Sequence, residues 1–159
     1  MNFKKFFHED IIFLLHAKTQ EGLFKKMTEG MQKHGYVKET YLEAIKEREE
    51  IYPTGLQTEI TGVAIPHTDH DHVNKEAIGI GVLEEPVPFK HMGMENVEVM
   101  VSVVFMLAIQ KPDKQLGVLQ VITGLIQDNE LIKKIQITKD KKEILAIIHQ
   151  YNDELNVSN

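Results

Sequence analysis

The run VEVMVSVVFML at residues 97–107 constrains this chain more than any other segment. It is rich in β-branched and apolar residues, so it predicts a long strand. A strand that is apolar on both alternating faces has no side to turn to water, which makes it a central strand covered on both faces. AIGIGVL at 77–83 predicts a second strand, IIFLL at 11–15 a short buried one, and VAI at 63–65 another that leads into Pro66 and His67. EEPVPFKHMGM, at 84–94, carries two prolines and a glycine and reads as a loop or edge excursion.

Helical spacing fills much of the remainder. Thr19 is placed as an N-cap ahead of Leu23, Met27 and Met31, a core stripe that ends at Gly35. Thr40 and Glu43 stand in capping-box spacing at the start of a second helix, which buries Leu42 and Ile45 and stops near Glu50, ahead of Pro53 and Gly55. YPTGLQTEITG follows as a loop. Pro112 and Asp113 open a third helix with Leu116, Leu119, Ile122 and Ile126 on one face. Residues 129–136 predict a short helix, and Lys139 to about Tyr151 a last one that turns Ile144, Ile147 and Ile148 inward. Strands interleaved with helices predict one α/β domain of two or three layers around a central sheet. The domain is expected over 1–152, with a polar C-terminal tail at 153–159 that should fray.

Composition removes several classes of function. A formal charge of −6 argues against a nucleic-acid binder. The absence of cysteine leaves no disulfide framework, thiolate metal site or cysteine nucleophile, which is compatible with a reducing, cytoplasmic setting. Lys4 and Lys5 ahead of apolar residues imitate a signal peptide, but Glu9 and Asp10 interrupt the pattern, and the apolar run at 11–15 is far too short to span a bilayer. The expectation is a soluble protein.

The chemistry concentrates in AIPHTDHDH at 64–72. His67, Asp69, His70, Asp71 and His72 offer ligands suited to zinc or iron. The spacing opposes that reading. On a strand His70 and His72 share a face that His67 opposes, and on a helix no i, i+4 pair joins two histidines. His8, His16, His34, His91 and His149 are scattered singly and read as ordinary surface or core residues. Alternatively His67 acts alone. Pro66 fixes the backbone before it, and a neutral imidazole whose one N–H is held by an acceptor presents its other nitrogen to an electrophilic phosphorus. Arg48, the single arginine in the chain, has the planar fork that suits phosphate oxygens, although it also fits a surface cation at a helix C-terminus.

Taken together, Arg48-Glu49, Pro53-Thr54-Gly55 and Gly62-Val63-Ala64-Ile65-Pro66-His67 resemble the IIA components of bacterial sugar phosphotransferase systems (PTS), of the fructose/mannitol superfamily. The segments at 72–73, 86–93, 103–108 and 115–120 are similar to the galactitol-type branch, and the likeness covers nearly the whole chain. It implies an α/β sandwich with a mixed central sheet flanked by helices. It also implies a phosphoryl relay: the phosphocarrier HPr donates to His67, which passes the group to a cysteine of a IIB partner, and a membrane IIC protein couples it to sugar uptake. Arg48 would hold the phosphoryl oxygens, with Thr68 and nearby backbone N–H groups as further donors. No metal or cofactor is called for.

Two features depart from the pattern. Mannitol- and fructose-type members carry a second histidine where Gln115 stands here. Glutamine donates a hydrogen bond but supplies no positive charge and takes no proton, so Gln115 fills at most part of that role. The segment from Arg48 to His67 is also about three residues longer than in the mannitol type. Asp69 is read as orienting His67 or capping the following turn, and His70 and His72 as loop residues near the site. Rival readings are a regulatory IIA domain with the same phosphohistidine, a metal-dependent hydrolase using HTDHDH, and a plain binding module.

Overall fold

In the computed structural model, which describes residues 2–158 and side chains through 156, the apolar run folds as β5 (Glu98–Ala108) at the centre of a single sheet. The other strands are β1 (Ile12–Leu15), β2 (Gly55–Gln57), β3 (Gly62–Ala64) and β4 (Ala77–Lys90), and the order across the sheet is β1-β4-β5-β3-β2. β4 runs antiparallel to β5, and β2 antiparallel to β3. The pairs β1–β4 and β3–β5 are parallel, so the sheet is mixed.

Alternation assigns the two faces of β5. Val104, Met106 and Ala108 pack with α1 (Gln20–Lys33) and α2 (Tyr41–Ile51). Val103, Phe105 and Leu107 pack with α3 (Pro112–Ile126), α4 (Asn129–Ile137) and α5 (Lys141–Ser158). The α/β architecture with helices on both faces is therefore the one expected. Val99 and Val101 also face α1 and α2, so the parity slips near Ser102, where the β3–β5 register shifts between Gly62 and Val63. Gly62 is required there: a Cβ on it would lie 2.1 Å from the Met100 carbonyl oxygen.

The Thr19 cap is present, accepting from the Gly22 N–H at 3.0 Å, and Leu23, Met27 and Met31 are buried. Gly35 ends that segment with a φ of 82°, in the left-handed region. Among the described residues no helix is long and apolar enough to cross a membrane.

Several local expectations are corrected. The Thr40–Glu43 capping box does not form: Thr40 is helical in its own backbone and bonds His72 Nδ1 at 2.8 Å instead. α2 buries Tyr41, Ile45 and Glu49, whereas Leu42 is half-buried. The expected loop after α2 contains β2, too short to show alternation. All of EEPVPFK, at 84–90, belongs to β4. Its prolines are tolerated because β1 pairs with β4 only from Ile80 to Leu83, so the second half of β4 runs along a sheet edge. Leu116 faces water at 64% exposure, and Val118 and Leu125 join Ile122 and Ile126 in the core. α5 continues past Tyr151 through Ser158, because Asn152 is buried and its Oδ1 accepts the Phe3 N–H at 2.9 Å.

Candidate active site

Three elements bring the sequence-predicted residues together. β3 delivers His67 as the chain leaves the sheet. The Pro66 carbonyl accepts the Leu107 N–H at 3.0 Å, which extends the parallel ladder to a bridge between His67 and Leu107 at the end of β5. The Leu107 carbonyl is in turn held by the Tyr41 hydroxyl at 2.6 Å. Tyr41 is fully buried, which pushes its phenol pKa up and keeps it a neutral donor. The backbone under His67 is thus tied to the most buried strand and, through it, to the first turn of α2.

The imidazole is oriented by one bond. His67 Nδ1 lies 2.9 Å from the Ile65 carbonyl oxygen. A carbonyl only accepts, so Nδ1 carries the proton and Nε2 keeps its lone pair. Burial lowers the His67 pKa below the ordinary imidazole value, and the Arg48 charge pushes the same way; the Ile65 bond and the Asp69 charge oppose them. The net direction is downward, which favours the neutral ring at neutral pH.

Arg48 lies in the last turn of α2 with its charge acting on His67. Its guanidinium stacks over the Tyr52 ring at 4.9 Å, and its Nη1 lies 3.4 Å from Asp69 Oδ1. Next to it Glu49 points the other way, into the protein. Its two oxygens accept the Thr54 N–H at 2.6 Å and the Thr54 hydroxyl at 2.7 Å, and desolvation raises its pKa to about 7. Thr68 is buried, and its carbonyl accepts from Gln115 Nε2 at 3.1 Å, so the first turn of α3 reaches the loop that carries His67.

The HTDHDH loop does not gather its ligands. His72 bonds Thr40, His70 pairs with Asp71 at 3.3 Å, and His67 bonds Ile65. Among the described residues, no three His, Asp or Glu side chains form a group able to hold a metal ion. Asp69 neither caps the short 3₁₀ turn at His70–His72 nor bonds the His67 ring; it pairs with Arg48. Sequence reasoning missed Tyr41 and Tyr52, and it named Glu49 in the Arg48-Glu49 pattern without its pairing to Thr54. The signal for Glu49 was the Thr54 of Pro53-Thr54-Gly55, whose N–H and hydroxyl need an acceptor.

Comparison with known proteins follows the same lines. Residues 5–151 match the family model described as phosphoenolpyruvate-dependent sugar phosphotransferase system, EIIA 2. The galactitol-specific EIIA component of Escherichia coli strain K12 is 30% identical over 117 residues, covering 74% of this chain and 77% of that protein. The mannitol IIA enzyme of Escherichia coli, solved in complex with phosphorylated mannitol IIB, is similar with a TM-score of 0.70 and 26% identity, covering 89% of this chain and 96% of that one. The nitrogen regulatory protein IIA-Ntr of Neisseria meningitidis shares the fold, with a TM-score of 0.72 at 21% identity over 91% of this chain and 97% of that one. The extent of the family match and the galactitol-type relative make this chain a member of the EIIA 2 family of the phosphoenolpyruvate-dependent sugar phosphotransferase system, a phosphotransferase that works as a phosphoryl carrier.

Proposed function

We propose that the chain accepts a phosphoryl group from HPr on Nε2 of His67 and passes it to a cysteine of a IIB partner, in the cytoplasm. A membrane IIC protein then couples the group to uptake of a galactitol-like sugar. The observation that carries this reading is the Nδ1–H bond to the Ile65 carbonyl, which leaves Nε2 as the nucleophile. Arg48 holds the phosphoryl oxygens as charge spreads over them, and its fork stays charged throughout. The Thr68 hydroxyl and the second N–H of the Gln115 amide are the further donors. Gln115 supplies no proton, so its part is limited to binding. The sugar of the galactitol-specific relative supports the substrate class.

The test is to mix the protein with phosphoenolpyruvate, enzyme I and HPr, then map acid-labile phosphate by mass spectrometry. One phosphate on His67 is expected. With active donors, its absence would overturn the reading.

A further inference from the structure

Arg48 is only partly satisfied. One face of the guanidinium is covered by Tyr52, Nη1 meets Asp69 Oδ1 at the long distance of 3.4 Å, and Nε is buried with no hydrogen-bond partner among the described residues. A buried N–H without an acceptor is costly, so the group is built for more acceptor oxygen than Asp69 brings. Asp69 itself has a 69% exposed side chain and no capping bond to give up. The turn that follows it is fastened to the start of α2 by the His72–Thr40 bond and by the Lys38 N–H to the His72 carbonyl. The side chain can therefore swing into water while its backbone stays where it is.

We propose that Asp69 is a stand-in for the phosphoryl group. Its carboxylate occupies Arg48 while His67 is unphosphorylated and yields it when His67 is phosphorylated, so Asp69 sets how far transfer with the donor lies toward the phosphoprotein. The proposal rests on the carrier reading above. A phosphoryl group brings three acceptor oxygens and about two negative charges, which outcompete one exposed carboxylate for the fork and repel it. On acceptance, the Nε2–P bond forms as the donor's N–P bond breaks, and that electron pair returns to the donor imidazole. The Nδ1 proton stays on its bond to Ile65. On donation to a thiolate, the S–P bond forms and the Nε2–P pair returns to His67. Asp69 enters neither bond and acts through Arg48 as a positioning residue.

The experiment equilibrates the protein with a fixed mixture of phosphorylated and unphosphorylated HPr and reads the phosphoprotein ratio by phosphorus NMR. Asp69→Asn and Asp69→Ala should each raise the ratio of phosphorylated to unphosphorylated protein about three- to fivefold, the size expected for an exposed ion pair. Asp69→Glu, which restores the carboxylate, should bring it back toward wild type. A merely structural role would leave this ratio unmoved. An unchanged or lowered ratio in both the Asn and Ala variants would overturn the stand-in role while leaving the carrier reading intact. If the wild-type protein takes no phosphate from an active donor, the carrier reading falls and the stand-in role falls with it.

Discussion

Arg48 and Glu49 are neighbours in sequence, yet the end of α2 treats them in opposite ways. Glu49 is 4% exposed and gripped by two short bonds from Thr54. Arg48 is about a third exposed, holds Asp69 at 3.4 Å and leaves its Nε without a partner among the described residues. One pairing is buried and saturated, so it fixes the path of the chain from α2 through Pro53-Thr54-Gly55 into β2. The other is loose and wet, so it can exchange one anion for another. Buried, saturated hydrogen bonds tend to hold structure, and half-satisfied exposed ones tend to serve ligands.

The largest effect expected is from His67→Ala, which removes the ring on which the Arg48 and Asp69 charges act. Phosphate acceptance should vanish with the fold intact by circular dichroism, and labelling at an unchanged rate would sink the assignment. The buried pairing should next appear as a pH dependence of stability. The folded pKa of Glu49 is raised from 4.5 to about 7, so the folded state binds the proton more tightly than the unfolded chain. That contribution is full below about 4.5 and is lost as pH rises through about 7, a change on the order of 3 kcal/mol at most. Urea unfolding from pH 5 to pH 8 should show this loss in the wild type and a flatter profile in Glu49→Gln; equal slopes would remove Glu49 as its source.

Smaller effects separate the two pairings more finely. Thr54→Val keeps the N–H donor but deletes the hydroxyl bond, and should cost about 2 kcal/mol of stability by denaturant midpoint. Arg48→Lys should instead leave the midpoint nearly unchanged and slow phosphoryl transfer about tenfold, because the two-pronged fork is lost. A large stability loss in Arg48→Lys, at a wild-type transfer rate, would reverse the contrast drawn between the two neighbours.

The parts legible in the sequence were those set by local pattern. β5, β1, the Thr19 cap and the methionine stripe of α1 follow from apolar runs, capping chemistry and helical spacing. Elements fixed by distant partners were not legible. Thr40 leaves its own helix end for a histidine 32 residues away. β2 exists because β3 pairs with it, and β4 crosses two prolines because no strand flanks that stretch of its edge. Leu116 fits an inward stripe by spacing, but the packing of α3 turns it out beside Gln115. In the site, Pro66 and His67 could be picked out one residue at a time. The Glu49–Thr54 and Arg48–Asp69 pairs needed the fold to bring their partners together.

The single bond from His67 to Ile65 has a consequence for running the reaction backward. In the proposed relay the Nδ1 proton has the same acceptor whether Nε2 is attacking or leaving, and the acceptor belongs to a backbone pinned to the central strand. No proton has to be relocated between taking a phosphoryl group and surrendering it. The forward and reverse passages can therefore share one arrangement of the ring, and the direction of flow is left to the relative phosphoryl potentials of whichever two partners are docked in turn.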